Sequence, residues 1–117
     1  MASPTTGERL PKKKAAPRKR AETSGEQRLK QAQRAAILLK QASDATRLQI
    51  ILTLSQGERH VGDLSGMLNM SQPAVSHHLA LLRHGGIIAP RRQGKNNFYA
   101  LTEAGDHLAQ VVQGVVS

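Results

Sequence analysis

The stretch from Ser71 to Gly86 carries both a start and a stop for one helix, and it constrains the fold more than any other segment. The Ser71 hydroxyl can accept from the first free N–H groups of a helix, and Pro73 falls in the first turn, where its missing N–H costs nothing. Gly85-Gly86 closes the same helix, because glycine takes the left-handed backbone that a helix end favours. On a wheel of 100° per residue Val75, Leu79 and Leu82 share one side, which must rest on a core. Pro73, His77 and Ala80 lie opposite, with Gln72, Ser76 and Arg83 on a flank. His78 stands about 60° from the centre of the apolar face, which gives it a packed or capping role, whereas His77 faces outward.

The flanking residues extend the pattern. Leu29, Ala32, Ala36 and Leu39 recur at helical spacing and predict a first helix over residues 26–41. Asp44 can cap a second, whose Leu48, Ile50, Ile51 and Leu54 stop at Ser55-Gln56-Gly57. A short third helix fits Val61–Leu68, with Asn69 and Met70 as the turn into the helix opened by Ser71. After the glycine pair, residues 87–93 and 97–101 are extended in type, separated by a tip of Gly94-Lys95-Asn96. Thr102 then caps a last helix, in which Leu108, Val111, Val112, Val115 and Val116 form an unbroken stripe. Two short helices joined by a tight turn and followed by a hairpin make a winged helix-turn-helix: mainly α with a β-hairpin wing. One Phe, one Tyr and no Trp leave the core to aliphatic side chains, which suits a helical domain.

This arrangement presents the second helix of the pair to base edges in a DNA major groove, while cations of the wing reach phosphates or the minor groove. The candidate reading face is Ser71, Gln72, Ser76, His77 and Arg83. Gln72, near the helix start, matches an adenine edge, and Ser76 a base or phosphate. The wing supplies Arg91, Arg92 and Lys95. These three would also suit an ordinary solvated hairpin, but their place beside the helix favours contact with DNA.

The formal net charge is +9, and residues 1–30 hold nine Lys or Arg against three Glu, two thirds of that excess. Such a balance attracts polyanions, with nucleic acid foremost. Lys12, Lys13, Lys14, Arg18, Lys19 and Arg20, interspersed with prolines, read as a disordered basic tail over 1–25 that adds affinity for DNA without sequence choice. Residues 26–117 are then the folded DNA-binding and dimerisation domain. The absence of cysteine removes disulfides, thiolate metal ligands and thiol redox switches. No run has the roughly 20 apolar residues of a membrane helix, and the start lacks a secretory apolar segment, so the expected location is the cytoplasm, on the nucleoid. No nucleophile set or phosphate loop points to an enzyme, and no cofactor is implied.

These residues resemble the ArsR/SmtB winged-helix repressors of bacteria over about residues 36–101. The likeness rests on Ala42-Ser43-Asp44-Ala45-Thr46-Arg47-Leu48, Val61-Gly62-Asp63-Leu64, the run from Ser71 to Leu79, and Arg91-Arg92-Gln93-Gly94-Lys95 followed by Phe98-Tyr99-Ala100-Leu101. It implies a homodimer joined through the first and last helices, bound to an inverted-repeat operator and repressing transcription until a signal releases it. The stripe from Leu108 through Val111, Val112 and Val115, with Leu29 and Ala36, would form the seam, placing two recognition helices roughly 34 Å apart. Many members sense metals, and here the pattern departs. His60 stands where a cysteine often sits, Gly105 where a histidine is expected after Glu103, and adjacent Asp106 and His107 point about 100° apart. The expectation is a regulator without the usual metal site; the alternative is a His/Asp site across the dimer from His60, His84, Asp106 or His107. The inducer is not read from the sequence. A rival function is an architectural, largely nonspecific DNA-binding protein that works through its tail, and a third is a protein-interaction module.

Overall fold

A computed structural model describes residues 24–117, which contain α1 (Gly25–Gln41), α2 (Ala45–Leu54), β1 (Arg59–His60), α3 (Val61–Leu68), α4 (Gln72–His84), β2 (Ile88–Gln93), β3 (Asn96–Leu101) and α5 (Glu103–Val116). The tail cations from Lys12 to Arg20 lie outside the described residues. The chain divides after Gln33. Residues 24–33, the opening of α1, are all exposed. Helix α1 begins one residue before the expected Glu26 because of a reciprocal cap. The Gln27 N–H donates to Ser24 Oγ (3.1 Å) and the Ser24 N–H to Gln27 Oε1 (3.0 Å), the capping box of serine and glutamine three residues apart.

In the second unit the expected caps are in place. Asp44 accepts from the Arg47 N–H at 3.0 Å, Ser71 from that of Ala74 at 3.3 Å and Thr102 from that of Gly105 at 3.1 Å. The turn between α3 and α4 is left-handed at Asn69 (φ 55°), and the Ser65 hydroxyl donates to the Met70 carbonyl to hold it closed. Helix α4 ends in a Schellman pair: the Gly86 N–H reaches the Arg83 carbonyl and the Ile87 N–H that of Leu82, both at 3.0 Å. The left-handed residue is the second glycine, Gly86 (φ 75°). This cap drops Ile87 and Ile88 straight into the core, where both are buried beside Leu82.

Val75, Leu79 and Leu82 of α4 pack with Ile50, Ile51 and Leu54 of α2, Leu64 of α3, and Leu108 and Ala109 of α5 in one aliphatic cluster. Each fully buried Val, Leu or Ile among them contributes about 1.5–3 kcal/mol relative to exposure. Helix α5 comes so close that a β carbon on Gly105 would stand 2.1 Å from the Ile87 carbonyl oxygen. That approach is fixed from the neighbouring turn, where the Thr102 N–H donates to the Ile87 carbonyl at 3.0 Å and its hydroxyl to that of Gly86 at 2.6 Å.

The sheet has the order β1-β3-β2 and is antiparallel throughout. Two features differ from the sequence reading. Arg59 and His60 form a short third strand paired with Tyr99 and Phe98, too brief to show any alternation. Asn96, read as part of the hairpin tip, pairs with Gln93, so the loop is only Gly94-Lys95, with Gly94 at φ 63°. A two-residue loop led by glycine matches the twist of its strands.

Candidate nucleic-acid interface

Because the α4 face carrying Val75, Leu79 and Leu82 is spent on the core, its other faces are turned outward. Ser71, Gln72, Ser76, His77 and Arg83 are all exposed. Among the described residues the side chains of Gln72, Ser76 and Arg83 make no hydrogen bond or ion pair, which leaves a donor/acceptor amide, a hydroxyl and a guanidinium on one helix surface. Ser71 is engaged through its hydroxyl as the cap. His78 behaves as its wheel position predicts. Its side chain is 18% exposed, and its Nδ1 lies 3.4 Å from Arg47 Nη1 and 4.0 Å from Asp44 Oδ2. A guanidinium only donates, so Nδ1 is the acceptor. Arg47 also donates from Nε to the Gln41 carbonyl at 2.7 Å, and the set braces α4 against the start of α2.

The wing is less uniform than its sequence. Arg92 and Lys95 are exposed at the hairpin end, with Arg92 Nε donating to the Gly94 carbonyl at 3.1 Å. Arg91 is held inside the protein's own network. Its Nε donates to both carboxylate oxygens of Glu58 (3.1 and 3.0 Å), its Nη2 donates to Glu58 Oε1 (2.6 Å), and its guanidinium lies 5.6 Å from the Phe98 ring centre. The Arg91 hydrogen bonds hold the Glu58 carboxyl below its ordinary range and raise Arg91 in turn. Glu58 escaped the sequence reading because it is linked to Arg91 only through β1: Phe98 faces Arg91 on one side and His60 on the other.

The positions compared above with metal-sensing residues have structural occupations. His60 caps α3, its Nδ1 accepting from the Gly62 N–H at 3.0 Å, and its ring lies 5.8 Å from that of Phe98. Position 105 has no room for any side chain. His107 lies with Ala35, Leu38, Leu39, Ala104, Leu108 and Val111 around an apolar groove of about 300 Å³ between α1 and α5. Of the residues read as a dimer seam, Leu108 is mostly within the single chain's core (6% exposed) and Val112 is half-buried, whereas Leu29, Ala36, Val111 and Val115 are exposed.

Comparison with known proteins accords with this geometry. The profile of the bacterial regulatory protein arsR family matches residues 44–89, from the α2 cap into the first strand of the wing. The biofilm growth-associated repressor of Agrobacterium fabrum is 41% identical over 86 residues, spanning 74% of this chain and 72% of that protein. This chain belongs to the ArsR family. Among solved structures, the transcriptional repressor BigR of Xylella fastidiosa aligns with a TM-score of 0.73 at 37% identity, covering 80% of this chain and 93% of that one. The homodimeric winged helix-turn-helix DNA-binding domain of Mb0332 from Mycobacterium bovis aligns at 0.68 and 30% identity, covering 81% and 88%. The ArsR-family chain is thus a winged helix-turn-helix of a family of transcriptional regulators. Among its described residues no helix is long and apolar enough to cross a membrane.

Proposed function

We propose that this ArsR-family chain is a sequence-specific transcriptional repressor that binds an inverted-repeat operator as a homodimer, in the cytoplasm, with no catalytic activity of its own. The observation that carries the reading is the exposed, unpartnered α4 surface of Gln72, Ser76 and Arg83, with His77 beside it and a cationic hairpin end nearby. Side chains that make no hydrogen bond or ion pair within the protein but can pair with base edges are what direct readout needs. Phosphate contacts fall to Arg92 and Lys95, and to Arg91 once it exchanges Glu58 for a phosphate. The basic tail, Lys12 to Lys14 and Arg18 to Arg20, adds affinity without selectivity.

The homodimeric relative, together with exposed apolar residues on α1 and α5, supports a seam formed by those helices. Release from the operator does not run through the family's usual metal positions. What supports this is that His60 Nδ1 is committed to a cap and that residue 105 admits no side chain.

The test separates the groove from the tail. At about 150 mM salt, deletion of residues 1–23, which leaves the α1 cap intact, is expected to lower affinity for every duplex while sequence preference survives. Gln72→Ala or Ser76→Ala is expected to cost about tenfold or more on the preferred site and little on random DNA. Equal affinity for both DNAs in the intact protein would instead support the architectural reading.

A further inference from the structure

Beside the reading face, a hollow of about 350 Å³ opens between α4 and the sheet, lined by Ser76, Leu79, Ala80, Arg83, His84 and Tyr99. Its polar groups share a property. Among the described residues the side chains of Ser76, Arg83, His84 and Tyr99 have no hydrogen-bond or ion-pair partner in the protein. Tyr99 is half-buried, and a phenol in that position ordinarily finds an acceptor. All four side chains can donate, one is a fixed cation, and no carboxylate lines the hollow. A lining of donors plus a guanidinium selects an oxyanion.

We infer that this hollow seats one phosphodiester of the DNA backbone, with Tyr99 and His84 as phosphate-binding residues beside Arg83. Two features favour a backbone phosphate over a free oxyanion. The volume exceeds what one small ion fills, and Leu79 and Ala80 give the hollow an apolar side that suits the flanking sugar. Ser76, Ala80 and Arg83 follow one another along α4, so the seat continues the surface that reads bases and fixes its register on the duplex. The inference rests on the DNA-binding reading above and assigns Arg83 to phosphate instead of a base edge.

The test uses the full chain, with Arg83→Gln and Tyr99→Phe as variants whose thermal melts check folding. Each backbone phosphate of a bound duplex is replaced in turn by a neutral methylphosphonate. One position per half-site is expected to cost the wild type roughly tenfold and each variant far less, because the partner is already gone. Arg83→Gln should also flatten the salt dependence by about one unit on any duplex, selective or not, so the seat is tested even if base readout fails. The bases preferred in selection should be unchanged by Tyr99→Phe. A phosphate scan identical in wild type and both variants would overturn the inference. So would inorganic phosphate binding the wild type but not the variants with equal affinity whether or not duplex is bound, since the seat would then take a free oxyanion and no backbone phosphate.

Discussion

At position 105 the spacing between α5 and the Ile87 carbonyl leaves room for a hydrogen and nothing larger. Gly105→Ala must push the helix off the strand entry, and overpacking against backbone that cannot rotate away should cost about 3 kcal/mol. In a domain of this size that is a drop in Tm of roughly 10–20 °C, readable in a thermal melt. Two carboxylates have their charged forms favoured by the fold. Asp44 is held below its ordinary 3.8, chiefly by the Arg47 N–H, and Glu58 below its ordinary 4.5, chiefly by the Arg91 hydrogen bonds. Each favours the charged form when folded, so its stabilisation is present above those values and lost as pH falls through the lower folded ones. Tm should therefore fall as pH drops below about 4.5, and Asp44→Asn, which keeps an equally good cap without a titrating group, should flatten that fall. Glu58→Gln releases Arg91 from its only carboxylate among the described residues. A freed guanidinium on the wing predicts about threefold tighter binding to any duplex, measured by anisotropy, and unchanged affinity would place Arg91 off the DNA path.

At the scale of elements, the helices were legible because their limits are chemical. Aspartate, serine or threonine stands at the expected starts of α2, α4 and α5, and glycine or asparagine in a left-handed turn ends α3 and α4. Val75, Leu79 and Leu82 disclosed which side of α4 faces inward, and by subtraction which side is free. The two-residue β1 was not legible, since a periodicity needs more residues than it has, and its loss hid the Glu58–Arg91 pair. The seat between α4 and β3 was hidden for a related reason: Tyr99 meets Arg83 and His84 only after the hairpin register is set. Gly105 looked like a missing ligand in the sequence, whereas the packing makes it a steric requirement. The brace from Arg47 to His78 belongs to this scale as well. His78→Ala should loosen α4 from α2 and weaken binding to preferred and random duplexes alike, whereas His77→Ala should weaken the preferred one alone; electrophoretic shifts on both DNAs distinguish the two.

For the whole molecule, the remaining apolar surface and the charge have complementary uses. Leu39 is 50% exposed and Val111 54% on a groove whose lining is almost wholly apolar, and Val115, further along α5, is 79% exposed. A two-fold pairing across that groove would bury it and set two α4 helices to face the same side of a duplex. Val111→Asp is expected to shift the protein to monomer in light scattering and to lose preferred-site affinity by more than tenfold, with the melt of the single chain little changed. The net charge of +9 per chain would act on such a dimer as a general attraction that readout by α4 would sharpen into a choice. The most direct measurement of that choice is selection of bound duplexes from a random pool by the purified full chain. A palindromic consensus with half-sites about one helical turn apart, lost with Gln72→Ala, is expected. Recovery of duplexes with no shared sequence, at an affinity set by salt alone, would contradict it.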